Sequence, residues 1–132
     1  MDKSELRLLQ LFDQFQVRIT SLNIEQKIYT IDNLRDIKRS KQEWWYKAGV
    51  YYFVQDGVVK YVGKANLGTG LRKRIYNQIE AFGEPNRWDT VISDPSVKVG
   101  MFIFPDDDWH WIASLELMLL DSIRPEMYKR LP

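Results

Sequence analysis

The chain has 132 residues, is 45% hydrophobic and 28% charged, and carries a formal net charge of +1, so it favours one globular domain with one core and its global charge does not argue for a nucleic-acid partner. It contains no cysteine, which excludes disulfides and thiolate metal sites and makes a cytoplasmic setting the simplest reading. No apolar run approaches the roughly 20 residues of a membrane helix, and the opening MDKSELRLLQLF lacks the apolar core and small-residue cleavage site of a signal peptide.

The first predicted element is a helix. Leu8, Leu11, Phe12, Phe15 and Ile19 recur at helical spacing, with Ser4 placed to cap the start. The segment NIEQKIYTI fits neither period clearly. A second helix is expected over DNLRDIKRSKQEW, from Asp32. Residues 1–47 thus read as a helical elaboration on the unit formed by residues 48–132. EWWY, at Glu43 to Tyr46, reads as core packing for these helices.

From Gly49 the period changes. VYYFV and VVKYV are β-branched and aromatic runs around QDG, the signature of a hairpin. After the glycines of NLGTG, Leu71, Ile75, Ile79 and Phe82 return to helical spacing, with Gly83 as the stop. EPNRWDTVISDPS reads as a loop, VKVGMFIF as a third strand, and Asp108 to Ile123 as a closing helix ended by Pro125. The fold class is α+β, a small three-stranded antiparallel sheet flanked by helices, with an N-terminal helical extension.

Hairpin register decides where the tyrosines point. A two-residue Asp56-Gly57 turn sets Tyr52 opposite Tyr61 and turns Tyr51 to the other face. A three-residue Gln55-Asp56-Gly57 loop sets Tyr51 opposite Tyr61 on one face. Both fit the sequence. Lys60, Lys64, Arg72, Lys73 and Arg74 follow with no acidic residue between them. Such local clustering is the footprint of a phosphate partner or of a solvated basic face.

The last helix carries an anomaly. Ile112, Leu115, Leu119, Leu120 and Ile123 form an apolar stripe, and Glu116 sits inside it. An unpaired buried carboxylate costs several kcal/mol or takes up a proton. Glu116 therefore needs a metal ion, an arginine or water at the stripe's edge. Asp106, Asp107 and Asp108 read as caps for the following helix rather than as a metal cluster. His110, the single histidine, has no second histidine or cysteine to make a metal site.

GVY at Gly49–Tyr51 and YVG at Tyr61–Gly63 resemble the two signature tripeptides of the GIY-YIG nuclease superfamily. Lys64 and LRKR are similar to the lysine and arginine segment of the nuclease domain in bacterial excision-repair endonucleases. LELMLLDSIRP, with Glu116, resembles that family's glutamate helix and its closing Arg-Pro. The resemblance spans about residues 48–128. It implies a metal-dependent endonuclease that hydrolyses DNA phosphodiester bonds. Tyr51 and Tyr61 would be the active-site phenols, Lys64 would activate the nucleophile or hold phosphate, and Arg74 would bind the scissile phosphate. Glu116 would be the one protein ligand of Mg2+ or Mn2+. Lys60, Arg72 and Lys73 would contact nucleic acid.

The chain departs from the family pattern in three places. Its ANLGTGLRKR loop is longer, Gln78 stands where the family has His or Tyr, and EMYKRLP lacks the family's asparagine. Gln78 cannot transfer a proton, so Tyr76 or water would substitute. These departures motivate a second reading, a catalytically degenerate nucleic-acid-binding module. A third is a protein-interaction domain with an aromatic surface. Oligomeric state stays open, since cutting two strands calls for a homodimer or sequential nicking.

Overall fold

Four antiparallel strands, not three, form the sheet in a computed structural model that describes residues 4–66, 68–81, 88–106 and 108–125. In chain order the elements are α1 (Ser4–Arg18), β1 (Glu25–Thr30), α2 (Ile31–Asp36), β2 (Gly49–Gln55), β3 (Val58–Ala65), α3 (Gly70–Ile79), α4 (Trp88–Ile92), β4 (Lys98–Ile103) and α5 (Trp109–Ile123). The strand order is β1-β4-β2-β3. The α+β class stands, and the extra strand comes from the ambiguous NIEQKIYTI segment. That strand has no fully buried residue, and Ile28 is half exposed. An edge strand without a core face leaves no hydrophobic alternation to read. The N-terminal region is therefore more than a helical extension, because its strand pairs along β4 from Glu25↔Ile103 to Thr30↔Lys98.

β2 lies between β4 and β3, and a core on each side of the sheet covers its faces, so VYYFV reads as a continuous apolar run. Val50, Tyr52 and Val54 point to a core built with α1 and α5, where Phe12 stacks on Phe102 at 4.1 Å. Tyr51 and Phe53 point to the opposite core, built with α2, α3 and α4. Trp44 and Trp45 join this second core from a turn rather than from a helix, and Tyr46 remains exposed.

Three expected boundaries shift. α2 starts at Ile31, capped by Thr30, and ends at Asp36. From Lys38 to Glu43 no apolar residue offers a face to bury, so the chain turns instead. The loop around Trp88 contains a short helix, whose Trp88, Val91 and Ile92 are buried at i, i+3, i+4 spacing despite the flanking prolines. α3 ends at Ile79. Phe82, Gly83, Asp107 and the C-terminal EMYKRLP lie outside the described residues. No helix among the described residues is long and apolar enough to cross a membrane.

The hairpin combines parts of both expected registers. The turn is Asp56-Gly57, with φ of 54° and 80°, and Gln55 pairs with Val58. The register then slips, because Val54 pairs with Val59 but Phe53 pairs with Tyr61. Lys60 is the extra residue of a β-bulge. The Val59 N–H donates to the Ser4 hydroxyl at 2.7 Å, and the Glu5 N–H donates to the Gly57 carbonyl at 3.1 Å. The start of α1 thus clamps the bulged end of the hairpin. Ser4, expected only as a cap, serves a strand.

Candidate active site

The bulge restores the face that a two-residue turn alone would have lost. Tyr51 pairs with Gly63 rather than with Tyr61, yet both tyrosines stand on the same side, diagonally across the strands. Their ring centroids are 6.0 Å apart, and their side chains are hydrogen-bonded. Gly63 makes this possible. A Cβ there would sit 2.6 Å from the Tyr51 ring and hydroxyl, so the Tyr51 ring crosses the strand only over a glycine. Trp88 packs against both Tyr61 and Phe53, at 5.6 and 5.1 Å between centroids, and steadies the outer phenol from behind. Trp88 escaped the sequence reading because its helix was taken for a loop.

Tyr51 is buried, and burial drives its phenol well above the ordinary tyrosine range. The neighbouring Tyr61 pushes in the same direction, while Arg74 pulls down and Glu116 pushes up more weakly. Tyr51 is thus a protonated hydrogen-bonding group at neutral pH. Arg74 is the cation that acts on it, and desolvation outweighs it.

Lys64 and Glu116 meet from different elements. Lys64 follows Gly63 on β3 and points to the α5 side, where its Nζ lies 3.2 Å from Glu116 Oε1. The Glu116 side chain is 18% exposed, so the carboxylate sits at the edge of the apolar stripe with water within reach. Of the expected partners, a metal ion, an arginine or water at the stripe's edge, the described residues supply none from their own side chains, and a lysine pairs with the carboxylate instead. Arg74, exposed on α3, reaches back so that its Nε donates to the Lys64 carbonyl at 3.3 Å. Tyr51 and Tyr61 thus stand on the α2–α4 face of the sheet, Lys64 and Glu116 stand on the α5 face, and Arg74 is bonded to the β3 backbone between the two groups.

The other basic residues behave differently. Arg72 was expected to face solvent or a flanking phosphate. Its guanidinium instead stacks between Trp45, at 4.3 Å, and Tyr76, at 5.8 Å. The same helix turn is tied down by Leu71 and Arg72 N–H groups donating to the carbonyls of Lys47 and Trp45. Lys73 is exposed beside Arg74. Lys60 lies on the bulge, four residues along β3 from Lys64 and roughly 13 Å away by strand rise. Tyr76 cannot stand in for the family's His or Tyr. It is buried, its hydroxyl donates to the Leu34 carbonyl at 2.5 Å, and burial raises its pKa. Asp108 occupies the cap position of α5, but its carbonyl, not its side chain, takes the first helical N–H groups. His110 is exposed and stacked on Trp109.

Two solved structures share this architecture. Both are the GIY-YIG N-terminal endonuclease domain of UvrC from Thermotoga maritima, as a tyrosine-to-phenylalanine and an asparagine-to-alanine point mutant, each bound to its catalytic divalent cation. The TM-scores are 0.54 and 0.53 at 20% identity, with 74% of this chain and 97% of that chain covered. The chain has the GIY-YIG nuclease fold. The two tripeptides, Gly49–Tyr51 and Tyr61–Gly63, fall on the paired strands β2 and β3 of this fold. No protein-family profile matches the chain, and no curated protein is similar to it by sequence.

Among the described residues of this GIY-YIG fold, no three His, Asp or Glu side chains lie together as a metal cage. Glu116, paired with Lys64 on the α5 face, is a carboxylate that a cation could reach, and it acts weakly on Tyr51. One carboxylate suits magnesium or manganese, since hard cations of this size keep several waters and complete their shell with substrate phosphate. The partly exposed carboxylate fits such a group, with Lys64 as the cation it must share.

Proposed function

We propose that the chain is a divalent-metal-dependent DNA endonuclease, with residues 48–132 as the nuclease unit and residues 1–47 completing its sheet and second core. The observation that carries this reading is the hydrogen-bonded Tyr51–Tyr61 pair with Arg74 acting on it, Arg74 being bonded to the backbone of Lys64, whose side chain pairs with Glu116.

Hydrolysis adds water across one P–O bond. The water oxygen bonds to phosphorus, the bond to the leaving oxygen breaks, and one water proton ends on that oxygen. In this reading Arg74 holds the scissile phosphate, because its planar fork can donate two hydrogen bonds to phosphate oxygens. Tyr51, kept protonated by burial, orients the attacking water or a phosphate oxygen through its hydroxyl and is itself aligned by Tyr61. Lys64 offsets charge that develops on the phosphoryl group. Glu116 would hold Mg2+ or Mn2+, which would supply Lewis acidity toward a phosphoryl oxygen when bound. The substrate is DNA and the setting is cytoplasmic in this proposal.

The Lys64–Glu116 ion pair favours the second reading, a binding module whose carboxylate is already neutralised. A supercoiled-plasmid nicking assay separates the two. The nuclease reading expects relaxed circles with magnesium or manganese and none with EDTA. DNA binding without nicking under any divalent ion would overturn it in favour of the binding module.

A further inference from the structure

Two cavities open beside the first turns of α3. One, of about 440 Å³, is lined by Tyr46, Gly68, Thr69, Arg72 and Lys73. The other, of about 360 Å³, is lined by Asn66, Thr69, Lys73, Arg74 and Asn77. They share Thr69 and Lys73, so together they form one groove running from Arg74 to Tyr46. Among the described residues, no acidic side chain lines it. Each cavity is within the range of about 300–1,000 Å³ that takes a small ligand. That is room for single nucleotides and not for a duplex.

The far end of the groove is an exposed aromatic on a fixed backbone. Tyr46 is 53% exposed, unlike its neighbours Trp44 and Trp45. Gly70, at φ +78°, lets the α3 start press against this turn. A Cβ there would lie 2.4 Å from the Trp45 carbonyl and 2.7 Å from the Tyr46 Cα. The Arg72 N–H bonds the Trp45 carbonyl at 2.9 Å, and the Arg72 guanidinium covers the Trp45 ring. The Tyr46 ring meets the edge of Trp45 at 6.4 Å. A ring held this way gives up little motion when it binds a planar partner.

We propose that this groove holds unpaired nucleotides flanking the scissile phosphodiester, with a backbone phosphate on Lys73 and one base stacked on Tyr46. The proposal rests on the nuclease reading of the neighbouring site. The chemistry specifies an unpaired base. Within a duplex each base already stacks on its neighbours, so only a frayed or single-stranded nucleotide can offer its face to a protein ring. The preferred substrate is then DNA with a single-stranded flank, such as an overhang or flap, rather than uninterrupted duplex.

Fluorescence anisotropy in EDTA, using a labelled DNA hairpin with or without a short single-stranded overhang, tests this apart from cleavage. Wild-type protein is expected to bind the overhang form more tightly. Tyr46→Ala should weaken overhang binding by about tenfold and leave blunt binding unchanged. Tyr46→Phe should retain the preference, because stacking needs the ring and not the hydroxyl. Thr69→Glu, which places an anion in the groove, should also remove it. No overhang preference in the wild type, equal losses on both DNAs, or a loss with Tyr46→Phe would each overturn the proposal. A protein that shows the preference but never nicks DNA would overturn only the nuclease reading. A nicking protein without the preference would overturn only the groove.

Discussion

Among the described residues, two lysine–glutamate pairs join a strand to a helix, and they are nearly matched in exposure. Lys98–Glu5 ties β4 to α1 at 2.6 Å, with the side chains 43% and 18% exposed. Lys64–Glu116 ties β3 to α5 at 3.2 Å, with 39% and 18%. Each glutamate also acts on a buried tyrosine, and the two tyrosines are chain neighbours. Glu5 raises Tyr52 after burial, and Glu116 raises Tyr51 after burial and Tyr61. The difference lies in what surrounds each pair. Tyr52 packs on Phe102 above Gly100, and the Glu5 end closes the hairpin. Tyr51 meets a second phenol and feels the charge of Arg74, which lines one of the cavities. An ion pair by itself does not mark a functional site. In the proposed function, the phenol pair and Arg74 are what set the Lys64–Glu116 side apart.

Exchanging the two glutamates should break this symmetry most. Glu116→Gln keeps the side chain's shape and removes the charge. It is expected to cut plasmid nicking by at least about a hundredfold, the scale of losing one group that stabilises developing charge. Glu5→Gln should leave nicking unchanged. Partly exposed pairs of this kind contribute about 0.2–1 kcal/mol, so both variants should melt within a few degrees of wild type. A Glu116→Gln protein with full activity would make the two pairs equivalent and remove the distinction.

The arginines of α3 sharpen the same contrast. Arg74→Ala should reduce nicking strongly while the melting temperature holds, since Arg74 is exposed and makes one backbone contact. Arg72→Ala should do the reverse. It removes a guanidinium stacked between Trp45 and Tyr76, an interaction of about 0.5–2 kcal/mol that a melting curve resolves. Equal losses of activity would place both arginines on the substrate.

The smallest effect should come from alkali and should not distinguish the two sides. Tyr51, Tyr52 and Tyr76 all have phenols raised by burial. The folded protein keeps these protons where the unfolded chain releases them, near pH 10. Their contribution to stability is therefore fully present below about pH 10 and is lost as pH rises above it. Phenolate absorbance should show these three phenols ionising only with unfolding. Three early-titrating phenols in this group would place them in water rather than in the two cores.

The sequence alone carried the parts that depend on local period and on residue type. The apolar spacing of α1, α3 and α5 was legible, as were the runs of β2, β3 and β4, because each has a buried face that repeats. The two tripeptides and the basic segment resembled one nuclease superfamily, and Glu116 stood out because a carboxylate interrupted an apolar stripe. Tertiary structure decided what depends on partners far away in the chain. β1 was unreadable because an edge strand with no buried residue is recognised only by its pairing with β4. The tyrosine face turned on a bulge at Lys60 whose freed Val59 N–H is satisfied by Ser4, 55 positions earlier. Arg72 looked like Arg74 in sequence, and only the approach of Trp45 over Gly70 took it out of the basic face. Periodicity records which side of an element is buried. It does not record which neighbour buries it, and that neighbour determined whether each charge here became a clamp, a stack or part of a site.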